Sequence, residues 1–217
     1  MATKSLTLQN DTEFQKGLLA LNALIPVLLV AWDWNRGQLG ANPIEFITRA
    51  TGVMALIFLV LTLAVTPLRK LAGWNWLLKL RRNLGLYSFY YGCAHLATYL
   101  IFDRNLNLFS VPADVWKRPF IAVGMISFLM MIPLAVTSTN TMIKKLGGRK
   151  WALLHRLTYL VLIGGVVHYW IIVKSDLRWP VFFSVLTAAL LGYRLFTALR
   201  KPNNAARPSA RSSTGAV

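Results

Sequence analysis

Acidic residues are scarce in this chain. Only seven Asp and Glu occur among 217 residues, and charged residues of both signs make up 14%. A soluble domain carries about a quarter charged residues, so an ordinary aqueous globule is excluded. Disorder is excluded with it, because a disordered chain is poor in apolar residues. Cysteine is limited to Cys93, which rules out a disulfide within the chain, a zinc cluster and a CxxC redox pair. Neither a Walker pattern nor G-x-G-x-x-G occurs, and Gly147-Gly148 before Arg149 and Lys150 reads as a loop.

What is abundant is apolar: 56% of the residues are hydrophobic and the mean hydropathy is +0.51. A bilayer core about 30 Å thick takes roughly 20 mostly apolar helical residues. Six segments meet that template: Gly17 to Trp32, Phe46 to Val65, Leu84 to Phe102, Phe120 to Val136, Trp151 to Val173 and Val181 to Leu199. The expected fold is all-α, a polytopic six-helix transmembrane bundle over residues 17–199. A polar arm (1–16) precedes it, and a disordered tail (200–217) rich in Ser, Ala, Pro and Asn follows. The first span reads as retained, since a polar stretch precedes it and no small-x-small cleavage site follows.

Lys and Arg number 24, giving net +17. Seventeen lie in the N-terminal arm, the second loop (Arg69 to Arg82), the fourth loop (Lys144 to Arg156) and the segment from Arg194 onward. Asp33, Glu45, Asp103, Asp114 and Asp176 fall on the other side. The positive-inside rule then puts both termini in the cytoplasm, in a bacterial inner membrane by the resemblance given below. All eight tryptophans, from Trp32 to Trp179, lie near span ends, as an aromatic belt requires.

The three histidines, His95, His155 and His168, all fall inside predicted spans. An ionisable side chain at membrane depth is costly and points to function, and facing imidazoles on two helices are a common way to hold a b-type haem. His155 and His168 are 13 residues apart on span five, about 20 Å along a helix; Arg81 and His95 are 14 apart on span three, about 21 Å. The two spans run parallel, so His95 comes level with His168, and Arg81 with His155. Two stacked sites follow: an outer pair of imidazoles, and an inner site with one imidazole and an arginine. His155 and His168 differ by roughly 140° around an ideal helix. Either span five is distorted, near Gly164-Gly165, or its histidines face different sides. Gly92 and Gly164 lie three and four residues before a histidine on the same helix face; they make room for a macrocycle or serve helix packing. Cys93 reads as packing, the Thr137 to Thr141 cluster as a polar helix end, and Glu45 and Asp114 as loop charges.

Two other classes fit the residues less well. A proton or ion transporter could relay protons through histidine, but no Asp or Glu falls within a predicted span. A structural anchor would leave three buried histidines unexplained.

The run Arg81-Arg82-Asn83-Leu84-Gly85-Leu86-Tyr87 leading to His95-Leu96 and Tyr99 is distinctive. So are Thr66-Pro67-Leu68-Arg69, Thr137-Ser138-Thr139, Leu146-Gly147, Trp151, Leu154-His155-Arg156-Leu157 and Tyr159. Together, over roughly residues 46–173, they resemble the MsrQ family (formerly YedZ), relatives of the ferric reductase and NADPH oxidase membrane domain. The resemblance implies an electron conduit. Electrons would pass from the quinone pool, with FMN also associated, through one or two b-type haems to MsrP. That partner is a periplasmic molybdopterin enzyme that reduces methionine sulfoxide; the chain itself is not expected to do so. By the same resemblance His95, His155 and His168 are the iron ligands, and Arg81 stands where relatives with two histidines on this span place a further one. Only a short tail follows Leu199, so no nicotinamide domain is expected. Electrons would enter from a membrane carrier, or from a reductase docked at the basic face of Arg69, Lys70, Lys79, Arg82, Lys144, Lys145, Arg149 and Lys150, charges that also set topology and meet anionic lipid.

Overall fold

A computed structural model describes residues 12–200, and over that range the chain is helical without strands. In chain order the helices are α1 (Thr12–Asn35), α2 (Pro43–Ala72), α3 (Leu77–Thr98), α4 (Val111–Lys117), α5 (Pro119–Val136), α6 (Asn140–Leu146), α7 (Gly148–Leu154), α8 (Leu157–Ile172) and α9 (Arg178–Leu199). The first span therefore starts five residues earlier than its apolar run, which shortens the expected arm. The rest of that arm and the tail from residue 201 lie outside the described residues.

Local chemistry explains the boundaries. Asn42 caps α2 by accepting the Glu45 N–H at 3.2 Å, while its amide donates to the Glu45 carboxylate at 3.0 Å. Pro43 fills the first turn, where no N–H is needed. Gly73 ends α2 at φ 72°, a left-handed position that favours glycine. Thr139 caps α6 by accepting the Met142 N–H at 3.2 Å. Beyond Thr98, α3 widens into a π turn over Tyr99–Asp103.

Among the described residues, α1, α2, α5, the α7–α8 segment and α9 are long and apolar enough to cross a membrane. α3 matches them in length but opens with Lys79, Arg81 and Arg82, which dilute its apolar character. Its other face is committed to α2, its most extensive partner. Ser88 donates to the Ala55 carbonyl at 2.7 Å, and Tyr91 reaches α1 at the Ala23 carbonyl at 2.6 Å. The main core joins Leu56, Leu59, Val60 and Leu63 of α2 to Val161, Leu162 and Val166 of α8 and Phe183 of α9. Outward lie exposed apolar side chains such as Leu21, Leu28, Trp32, Val185 and Leu195. In water that surface would be very costly, whereas in a bilayer it is the solvated one.

Candidate functional site

His95, near the end of α3, and His168, near the end of α8, come together at one level of the bundle, as their spacing predicts. Their ring centres are 6.0 Å apart and the ring planes are 87° to each other. Two imidazoles on opposite sides of one metal, with metal–nitrogen bonds of about 2 Å and about 1.1 Å from nitrogen to ring centre, have centres about 6 Å apart. The observed separation of the ring centres matches that value.

Each ring is fixed by the helix it faces. His95 Nδ1 donates to the Thr48 carbonyl of α2 at 2.8 Å, and His168 Nδ1 donates to the Phe120 carbonyl of α5 at 2.6 Å. With Nδ1 carrying the proton, Nε2 keeps its lone pair for a metal, and the backbone acceptor fixes tautomer and orientation. The same device occurs twice: four residues after each accepting carbonyl stands a glycine. A Cβ on Gly52 would lie 3.0 Å from His95 Nδ1, and one on Gly124 would lie 2.7 Å from His168 Cε1. Gly52 and Gly124 thus let the rings lie against helix backbone close enough to reach a carbonyl. Thr98 adds a link to α2, its Oγ1 accepting from the Thr48 hydroxyl at 3.1 Å.

These glycines are the functional positions that the sequence reading missed. Gly92 and Gly164, which share their histidines' helices, turn out to be packing contacts: Gly92 meets Phe128 and Met131, and Gly164 meets the Ser127 side chain. Each histidine ring is cradled by the facing helix rather than by its own. The available signal was a lone glycine within an apolar helix, which is disfavoured by about 1 kcal/mol and implies close approach.

His155 differs. It occupies the break between α7 and α8, where helical bonding lapses over His155–Arg156. Span five is therefore distorted at His155–Arg156 and not at Gly164-Gly165, so the ideal-helix angle between its two histidines does not apply across the break. The ring stacks on Trp151, centre to centre 4.0 Å, and its Nε2 meets Thr137 Oγ1 at 3.0 Å. Thr137 gives its own proton to the Pro133 carbonyl at 2.6 Å, so it accepts from His155. The same threonine's carbonyl takes the Trp151 N–H at 2.9 Å. Here Nε2 is engaged, so the second site is less prepared than the first. Arg81 is exposed on the first turns of α3.

Away from the histidines, Asp114 is corrected: it is buried, not a solvated loop charge. It accepts the Tyr99 hydroxyl at 2.6 Å and pairs with Arg104 at 2.5 Å, tying the π turn to α4. Glu45 remains a partly exposed charge paired with Arg49. Among the described residues no cluster of three or more His, Cys, Asp or Glu stands ready for a bare metal ion, so the two-imidazole pair is the donor set to interpret.

Residues 51–166 match the family described as "Ferric reductase like transmembrane component". The chain is 48% identical over 204 residues to the protein-methionine-sulfoxide reductase heme-binding subunit MsrQ of Herminiimonas arsenicoxydans, covering 92% of this chain and 94% of that protein. It is 50% identical over 186 residues to the MsrQ of Azospira oryzae (85% and 80% covered) and 47% identical over 182 residues to that of Ralstonia nicotianae (83% and 84%).

Proposed function

The chain belongs to the MsrQ family, among the ferric reductase-like transmembrane proteins, and from that premise we propose that it is a b-type cytochrome subunit carrying electrons outward across a bacterial inner membrane. It crosses six times, with α3 as the crossing that composition alone understates, and both termini are cytoplasmic. His95 and His168 hold the outer haem. His155 serves an inner one, with Arg81 as its ligand or counter-charge. Electrons come from the quinone pool, with FMN as an intermediate carrier at the basic face, and leave to an MsrP-like periplasmic molybdopterin enzyme that reduces methionine sulfoxide.

The observation that carries this reading is the facing imidazole pair with each Nδ1 anchored on a backbone carbonyl. When bound there, haem would supply a one-electron carrier at the outer level of the bundle. The protein's part is to fix both ligands before binding, so that little reorganises when charge moves. A proton relay gains nothing from the geometry: both Nδ1 protons end on carbonyls of the bundle, and no hydrogen bond among the described residues joins either ring to a carboxylate.

The test is an absorption spectrum of the detergent-solubilised protein before and after dithionite, with a pyridine haemochrome assay for haem per chain. Sharp reduced α and β bands with one or two haems per chain are expected. A colourless protein from cells supplied with haem precursor would overturn the reading. Reduction of the haem by a quinol analogue in the absence of any flavoenzyme then tests the electron source.

A further inference from the structure

The connection from α3 to α5 carries the two most exposed large apolar side chains among the described residues. Phe109 is 97% exposed and Trp116 is 91% exposed, whereas lipid-facing side chains of the spans are less so, Leu28 at 60% and Val185 at 62%. Aromatic surface of that size is unfavourable in water and marks a contact.

The two aromatics are held in place. Leu108–Ser110 forms a 3-10 turn that runs directly into α4. Val111 and Val115 are half-buried against the bundle and Asp114 is buried, while Phe109, Pro112, Ala113 and Trp116 face outward. Phe109 and Trp116 are seven residues apart, about two helical turns, so they share one side. The opposite side is clamped by Asp114, which accepts the Tyr99 hydroxyl at 2.6 Å and pairs with Arg104. At its far end α4 passes into α5 through Arg118 alone. The segment is therefore a short amphipathic element with its aromatic side fixed away from the protein.

Its surroundings show what covers that side. Ile101 and Phe102 on the π turn are exposed, and so are Leu106 and Leu108 beyond it. Leu106 is displayed outward at φ 61°, a left-handed conformation uncommon for a branched side chain. Trp116 stands three residues before Pro119, where α5 begins, and α5 in turn exposes Ile126 and Leu129. Apolar surface thus borders the element on both sides along the chain, and on the spans that surface is solvated by lipid. Lys117 and Arg118 follow at the edge, exposed and in none of the ion pairs among the described residues. Aromatic side chains with cations beside them are the composition of a helix lying in the membrane–water interface.

We propose that residues 106–118 form an interfacial anchor: Phe109 and Trp116 insert at the boundary between headgroups and acyl chains, and Lys117 and Arg118 meet lipid phosphates. The anchor lies at the end of the bundle where His95 and His168 stand, because Tyr99, which Asp114 holds, is one turn beyond His95.

The experiment uses the full chain in nanodiscs of phosphatidylethanolamine and phosphatidylglycerol. Cys93 is the only cysteine, so Cys93→Ser gives a background in which Phe109→Cys, Trp116→Cys or Val185→Cys carries a single nitroxide. Power saturation then compares collision with oxygen, which partitions into the bilayer, against a water-soluble nickel chelate. Val185 of α9 is the bilayer reference and free label in buffer the aqueous one. The oxygen-to-nickel ratio at positions 109 and 116 is expected to lie about tenfold or more above that of free label and below that at position 185, as an interfacial depth requires. A smaller ratio at either site overturns the anchor and leaves the aromatic surface to water or to a soluble partner. Adding Lys117→Gln/Arg118→Gln to Trp116→Cys should lower its ratio by about threefold, the cations no longer drawing the helix to the lipid. An unchanged ratio refutes the part assigned to the phosphates. Neither measurement needs haem, so the anchor and the electron-transfer reading fail separately.

Discussion

Gly124→Ala isolates the cradle behind His168. The added Cβ would sit 2.7 Å from Cε1, 2.8 Å from Nδ1 and 3.3 Å from Nε2 of the ring, where carbon contacts settle at about 3.5–4.0 Å. The ring must then retreat by about 0.8 Å, and metal–ligand distances tolerate only about 0.2 Å. The 2.6 Å bond from Nδ1 to the Phe120 carbonyl is lost in the same movement. Overpacking of this kind costs about 1–3 kcal/mol, or about 5- to 150-fold in haem retention at 1.4 kcal/mol per decade. Helix propensity changes in the opposite sense, alanine being favoured over glycine by about 1 kcal/mol. The haem-free protein should therefore express and fold at least as well as wild type while the haem-loaded form is depleted. Haem per chain and the low-spin spectrum are the assay, with Gly192→Ala, where nothing lies within 4 Å, and Gly92→Ala, an ordinary 3.5 Å contact, as controls. Gly124→Ala retaining the haem content and spectrum of Gly192→Ala would refute the argument.

Gly52→Ala, with a 3.0 Å approach to His95, should act in the same direction and more weakly in the same assay. His95→Ala or His168→Ala should abolish the six-coordinate bis-imidazole spectrum, while His155→Ala leaves it in place; full spectra in both of the first two would show the ligand assignment to be wrong. Asp114→Ala should lower stability by about 2–4 kcal/mol by stranding Arg104 and the Tyr99 hydroxyl, read as a fall in detergent thermal stability with haem ligation unchanged.

How much of this was legible in the sequence depended on the range of the cause. Five of the span positions follow from composition over 20-residue windows, and the level of His95 with His168 follows from helical rise; neither needs tertiary detail. The onset of α1 at Thr12 was missed because a helix can begin in polar residues ahead of its apolar run. The break at His155–Arg156 was missed because no Pro or Gly marks it, and Gly164-Gly165, which looked weak, lies inside continuous α8. Gly52, Gly124 and the carbonyls of Thr48 and Phe120 belong to helices other than the histidines' own. Finding them requires the pairing of α2 with α3 and of α5 with α8, which periodicity does not supply.

The two histidine levels also differ in readiness. On His95 and His168 Nδ1 is bound, and no hydrogen bond among the described residues occupies Nε2. At the inner level Nε2 of His155 is held by Thr137 Oγ1 at 3.0 Å, so metal binding there must first break a hydrogen bond of about 1 kcal/mol. Thr137→Val removes that competitor while Trp151, stacked at 4.0 Å, keeps the ring oriented. The Pro133 carbonyl that loses the Thr137 hydroxyl still accepts the backbone N–H of residue 137 at 3.0 Å, so no acceptor is orphaned. Inner-site affinity for haem should therefore rise about fivefold, seen as a second haem loading at lower added haem while the first is unaffected. A fall in second-haem occupancy would mean that Thr137 orients His155 for the metal instead of competing with it, and the order of filling argued here would be reversed.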